Sequence, residues 1–194
     1  MSEKPLLFLS HAAQDGDLAT FLKNQIEFYF FYELNVFCSS SPISINIGTE
    51  WMPEIILNLD KSIALIVLLT ERSIWRHWVW FEIGYYWNKY ETQKGRIYTL
   101  NMLDSGIPQP LSNIEAKSLF QLDNVLNFLY ELDQLFKLNT NTTTIRKLKE
   151  RPFDTITHAQ VIVEECQRYK DTLSSNSIQR RLAKYLKNLT ISKS

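Results

Sequence analysis

One carboxylate stands apart from every other charge in the chain. Between Val79 and Trp87, Glu82 is the only ionisable group besides two tyrosines, and four of the five tryptophans (Trp75, Trp78, Trp80 and Trp87) fall within residues 73–87 around it. A carboxylate set among rings must be hydrogen-bonded, neutralised by a proton, or used. Trp78 and Glu82 are four residues apart, so on a helix they share a face, the ring one turn before the acid. The result is an aromatic wall with an acceptor beside it. A buried aromatic helix whose lone Glu caps a neighbouring loop through backbone N–H groups would show the same residues.

The elements that must position Glu82 follow from periodicity. Residues 5–9 form a short apolar run without helical period, followed by turn and N-cap residues from Ser10 to Asp17, which predicts strand, loop, helix. The helix is carried by Leu18, Phe21, Leu22, Gln25, Ile26, Tyr29 and Phe30, a stripe facing a core, with Lys23, Asn24 and Glu27 turned to water. Asn35–Cys38 reads as a second strand, and residues 39–48 as a loop of small residues punctuated by Pro42 and Gly48. Thr49 is a candidate N-cap for a helix bearing Trp51, Ile55, Ile56 and Leu59.

Residues 63–69, Ile-Ala-Leu-Ile-Val-Leu-Leu, are continuously apolar, as in a strand covered on both faces, and should be central. The loop 70–77 leads to the aromatic helix, expected to begin near Trp78. Residues 96–102 predict a fourth strand, 119–122 a fifth, and 123–138 a helix. Strands alternating with helices over short loops specify a parallel sheet inside a three-layer α/β sandwich of about five strands. Ligands in such sheets sit beyond the carboxyl ends of the strands, so the loops at 10–15, 39–48 and 70–77 should gather on one edge, with Glu82 beside them. Neither a Gly-x-Gly-x-x-Gly nor a Gly-x-x-x-x-Gly-Lys fingerprint is present, so a dinucleotide cradle or P-loop is not supported.

Totals bound the rest. The 194 residues, 45% hydrophobic, amount to about one domain with some chain to spare. Formal charge is zero, but residues 1–138 hold 10 Lys/Arg against 16 Asp/Glu, and residues 139–194 hold 11 against 5. That excess, spread over two helical patterns at 156–173 and 178–189, is too dilute to indicate nucleic acid. No apolar run approaches the ~18 residues of a membrane span, and no signal-peptide pattern opens the chain, so the expected location is the cytoplasm and no membrane partner is implied. Cys38 and Cys166 lie far apart without metal-ligand spacing, which argues against a zinc site or disulfide scaffold. His77 and His158 read as ordinary loop or surface residues. The aromatic run Phe28–Tyr32 reads chiefly as core.

Taken in order, these pieces resemble the Toll/interleukin-1 receptor (TIR) domains, in particular their bacterial branch. Phe8-Leu9-Ser10-His11 with Asp15 is similar to the family's first strand and loop, Asn35-Val36-Phe37 to its second strand, and residues 39–48 to its BB loop. Gly48-Thr49-Glu50-Trp51 resembles a bacterial Gly-x-x-Trp segment, Leu68-Leu69-Thr70 the end of the third strand, and Ser73 with Trp78-Val79-Trp80-Phe81-Glu82 the Ser…Trp-x-x-x-Glu signature. Gln14 departs from the acidic residue common in the first loop. The resemblance implies a flavodoxin-like TIR fold over residues 1–138, with residues 139–194 as a C-terminal helical extension.

The resemblance also implies an activity, cleavage of NAD+ at the nicotinamide–ribose bond, with Glu82 at the catalytic position. Glycoside cleavage generally uses two carboxylates, but nicotinamide leaves from a pyridinium and needs no proton, so one carboxylate against the ribose hydroxyls is enough. Ser10, His11, Ser39, Ser40, Trp51, Ser73 and Trp78 are the implied substrate contacts, although this reaction requires no base with a pKa near 7 from His11. NAD+ is then a substrate; no cofactor or metal is called for. The implied partners are further copies of the chain through TIR–TIR contact and a separate effector sensing a nucleotide product, as in Thoeris-type anti-phage systems. The alternative is a non-catalytic adaptor or host-signalling mimic acting by TIR–TIR binding alone.

Overall fold

The computed structural model describes residues 4–39, 51–92, 95–104, 106–140, 144–146 and 153–191, with backbone alone for Trp51 and 176–191. Five strands and five helices follow in the order β1 (Leu6–Ser10), α1 (Gly16–Tyr29), β2 (Asn35–Cys38), α2 (Trp51–Lys61), β3 (Ala64–Leu69), α3 (His77–Thr92), β4 (Arg96–Asn101), β5 (Ala116–Ser118), α4 (Leu122–Leu138) and α5 (Thr155–Ile191) among the described residues, with only a 3-10 turn at Leu111–Asn113 between β4 and β5. Every strand pair is parallel and the order is β2-β1-β3-β4-β5. This is the expected three-layer, flavodoxin-like architecture, and its strand order reverses between β1 and β3.

Period-2 alternation sorts the strand residues into two cores. Leu7, Leu9, Val36, Cys38, Ile66, Leu68 and Leu100 face α1, α4 and α5, while Phe8, Leu65, Val67, Leu69 and Ile97 face Ile55 and Leu59 of α2 and Val79, Ile83 and Tyr86 of α3. All six residues of β3 are buried, which is why its sequence is apolar on both phases. Helix periodicity works the same way in α1, where Leu18, Ala19, Leu22, Ile26 and Tyr29 make the buried stripe. At its end Phe31 and Tyr32 adopt φ of 51° and 57°, while the Tyr32 N–H reaches the Glu27 carbonyl at 2.7 Å. That six-to-one closure normally employs glycine. Of the aromatic run here, Tyr29 and Phe30 are buried, and Phe28 stacks on Phe153 at 5.0 Å between centroids.

The fifth strand lies three residues before the apolar segment 119–122. As an edge strand, β5 is free to be polar, and its buried Lys117 pairs with Glu131 at 3.2 Å. Leu119 still donates its N–H to Asn101 O at 3.0 Å, but Gln121 is already the N-cap of α4. The two helical patterns expected after residue 155 are one continuous helix of 37 residues. The polar stretch at 174–177 interrupts the apolar pattern without Gly or Pro, so nothing ends the helix. Hydroxyls at and just before it turn back instead: Ser174 Oγ donates to Lys170 O at 3.1 Å and Thr172 Oγ1 to Arg168 O at 2.9 Å.

The first turns of α5 belong to the core, with Ala159, Ile162 and Cys166 fully buried against α1 and α4. His158, expected at the surface, is buried among Phe28, Tyr29 and Phe153. Farther along α5, Tyr169 donates to Asp15 Oδ1 at 2.8 Å, and Lys170 pairs with Asp104 and lies 4.5 Å from the Phe120 ring centroid. The helix thus fastens the loops after β1 and β4, both at the carboxyl edge of the sheet. Replacing Ile162 by Ala should cost about 2–4 kcal/mol in urea unfolding, within a single transition of the whole chain. A separate early transition in that variant would mean that α5 folds independently of the sheet.

Candidate functional site

Register brings two serines together at the carboxyl edge. Leu9 of β1 stands opposite Cys38 of β2, so Ser10 and Ser39 leave the sheet side by side, both on the phase that faces α3. Where Phe8 and Val67 fill that layer with hydrocarbon, Ser10 offers a hydroxyl. On α3 the buried stripe is Val79, Glu82, Ile83 and Tyr86, spaced i, i+3, i+4, i+7, and the acid occupies one of its apolar positions. Glu82 is fully buried, and Ser10 Oγ donates to its Oε2 in a short hydrogen bond.

Burial is the dominant influence on this carboxyl and pushes its pKa up from 4.5 to about 7, with Ser10, Ser39 and Trp78 holding it down in part. Even so, Glu82 Oε1 accepts no hydrogen bond and Ser39 Oγ makes none of normal geometry among the described residues. A buried, half-satisfied carboxyl next to an unbonded hydroxyl is costly unless something else enters the site. Two of its neighbours, Ser39 and Trp78, line a cleft of about 280 Å³ together with His11, Gln14, Arg76 and Val79. His11 is buried with Nδ1 3.2 Å from Leu9 O, and desolvation lowers its pKa.

The other buried carboxylate on this edge is fully engaged. Asp15 accepts from Thr70 Oγ1 at 2.6 Å, from Arg72 Nη1 at 3.2 Å and from the Tyr169 hydroxyl at 2.8 Å. Arg72 also donates to Gln14 O at 2.7 Å. Burial, followed by the Asp15 hydrogen bond, raises the Tyr169 pKa. These contacts join the loops after β1 and β3, as expected of that edge, through a helix whose part in it no sequence motif signalled. The same holds for Arg76, which stands in the cleft but belongs to no recognisable pattern.

The remaining candidates are distributed unevenly. Ser73 is buried, but its hydroxyl accepts from the Thr70 N–H at 2.8 Å and donates to Thr70 O, so it shapes the turn and does not line the cleft. Trp51 starts α2, and Ser40 lies outside the described residues, as do Thr49 and the loop 40–48. The wall of four tryptophans reduces to one. Trp78 stacks on Phe81 with centroids 4.8 Å apart beside the cleft, whereas Trp75 is 78% exposed, Trp80 donates to Ile74 O at 2.9 Å, and Trp87 packs on Tyr90. Helical rotation of 100° per residue sends neighbours in sequence to different faces.

A larger hollow of about 560 Å³ lies between α2 and α3, lined by Asp60, Tyr85 and Lys89. Its ionisable groups are engaged, Tyr85 donating to Asp60 at 3.1 Å and Lys89 to Ser62 O at 2.7 Å. Among the described residues no cluster of three His, Cys, Asp or Glu side chains could hold a metal ion, and no helix is long and apolar enough to cross a membrane.

An acid whose pKa is raised binds its proton more tightly in the folded chain than in the unfolded one, so stability present below pH 4.5 is lost as pH rises through about 7. Glu82→Gln removes that loss. The variant should exceed the wild type by on the order of 2–3 kcal/mol at pH 8 while lying close to it at pH 4, read from urea midpoints. Equal pH slopes in both proteins would place Glu82 in water.

No protein-family model and no curated protein matches the chain. Among solved structures, it is similar to the TIR domain of the Toll-related receptor TRR-2 from Hydra magnipapillata, at 11% identity and a TM-score of 0.52 over 68% of this chain and 97% of that one. The chain therefore has the fold of a TIR domain, with Glu82, Ser10, Ser39 and Trp78 gathered at the carboxyl edge of its sheet, next to the point where strand order reverses.

Proposed function

We propose that the protein is an enzyme that cleaves the nicotinamide–ribose bond of NAD+. The observation that carries this reading is the half-satisfied Glu82 carboxyl, buried with Ser10 as donor behind the Ser39 and Trp78 that line a cleft. A ribose placed over it would give Oε1 the hydroxyl donors it lacks. As the glycosidic bond lengthens, positive charge grows on the ribose ring, and an ionised carboxylate held in a water-poor site stabilises that charge more than it would in solution. Nicotinamide departs neutral, taking the bonding electron pair, so no acid is required opposite Glu82. Ser10 orients the carboxylate, and Trp78 walls the nicotinamide side.

Water trapping the ribosyl cation gives ADP-ribose; attack by a group of the same nucleotide gives a cyclic isomer. On this reading, assembly through TIR–TIR contacts and release of the product as a signal to a separate effector, as in bacterial anti-phage defence, would make up the cellular role. A TIR-fold adaptor without catalysis is the competing reading, in keeping with the receptor origin of the similar structure.

Incubation with NAD+ at high protein concentration, followed by chromatography with mass detection, should show nicotinamide release that Glu82→Ala reduces by at least about a hundredfold, the scale of losing a main electrostatic group. Since the reactive form is the ionised one, kcat/KM should rise with pH through about 7 and level off above it. Nicotinamide release unaffected by Glu82→Ala would remove Glu82 from catalysis, and no release from the concentrated wild type would leave the adaptor.

A further inference from the structure

We infer that Arg76 is a phosphate-binding residue that makes the cleft selective for phosphorylated ribosides over free ones. The Glu82 end of this inference rests on the NAD+ reading; the Arg76 end stands on its own geometry.

Arg76 lines the cleft, its side chain is exposed, and its guanidinium has neither an ion pair nor a hydrogen bond among the described residues. The other arginine of the same loop, Arg72, is committed to Asp15 and Gln14 O. Backbone bonds hold Arg76 in place: its N–H donates to Ser73 O at 3.0 Å, and its carbonyl accepts from Trp80 N–H at 3.3 Å. It immediately precedes the first turn of α3, where the helix dipole is positive and where no Asp or Glu offsets it.

Two further features point to an incoming ligand. Ser39 Oγ, 7% exposed at the residue level, lines the same cleft without a hydrogen bond of normal geometry. His11, the other basic side chain of the lining, is driven toward its neutral form by burial, so the positive charge of the cleft is that of Arg76. The site therefore has a cationic rim and, behind its Ser39 and Trp78 wall, a buried acid. A ligand matching both ends carries hydroxyls or developing positive charge at one end and an anion at the other, which describes a riboside bearing a 5′-phosphate. A guanidinium suits that anion because its planar fork donates to two phosphate oxygens at once.

The full-length wild type, Arg76→Ala and Arg76→Lys would be titrated with ADP-ribose and with nicotinamide riboside by calorimetry, alongside NAD+ turnover. ADP-ribose affinity should fall about tenfold in Arg76→Ala, the worth of one charge-assisted contact at a partly exposed site, and recover in part in Arg76→Lys. Nicotinamide riboside affinity should stay unchanged in all three, and the loss in Arg76→Ala should appear in the KM for NAD+. Unchanged ADP-ribose affinity in Arg76→Ala would overturn the assignment, as would an equal loss for the riboside. Arg76-dependent ADP-ribose binding without nicotinamide release would keep the phosphate site and overturn the NAD+ reading. Release with the same KM in wild type and Arg76→Ala would do the reverse.

Discussion

The structure is arranged around the placement of a carboxyl in a hydrocarbon layer. Glu82 projects from the buried face of α3 toward the sheet, where an apolar residue would pack without cost, and the donor found for it, Ser10, is at the last position of β1. Bringing the two together requires α3 to start at the carboxyl edge. It also requires β1 to lie next to β3, from which the chain turns into that helix, and β2 to end level with β1 so that Ser39 emerges at the same spot. Desolvating a carboxylate is worth several kcal/mol, larger than any single contact nearby, so the arrangement answers to this group.

Two buried carboxylates on the same edge show how differently such a cost can be met. Asp15 receives the Thr70 hydroxyl from the loop after β3, a guanidinium and a tyrosine hydroxyl, and with every oxygen satisfied it acts as a joint between the loops and α5. Glu82 receives Ser10 on one oxygen and leaves the other buried without a hydrogen bond. The first carboxylate is a structural tie with both oxygens matched, and the second keeps one oxygen unmatched in the interior. The long C-terminal helix serves the first kind. Through Tyr169 and Lys170 it reaches the loops after β1 and β4, so the rim of the cleft is held by residues far from it in sequence.

Much of this was legible beforehand, and unevenly so. The apolar run at 63–69 supplies the central strand, Ala64–Leu69, which is covered on both faces and so is apolar at every position. The stripe Leu18–Leu22–Ile26 predicted which side of α1 is buried, and the spacing of Trp78 and Glu82 put them on one side of α3. Edge strand β5 carries no apolar signature because a strand paired on one side needs none, whereas the neighbouring residues 119–122 do carry one. The continuity of α5 is hidden because an interrupted stripe looks like an ended helix, although serines permit a helix to continue when their hydroxyls bond back to the preceding turn. Crowding of tryptophans in sequence likewise suggested a wall that helical rotation disperses.

What the sequence determined alone is what periodicity and residue chemistry encode locally: parallel alternation of strands and helices, the buried faces, and one carboxyl whose surroundings are wrong for a free surface acid. Tertiary structure decided everything that depends on the meeting of distant segments. Ser10 and Glu82 are 72 residues apart, and Asp15 and Tyr169 are 154 apart, so no local pattern could pair them. Ser73 and Ser39 are the same residue type in similar loops, yet one hydroxyl closes its own turn and the other faces a cleft. That distinction rests on register and on the direction of a helix start, which arise only when the sheet is assembled.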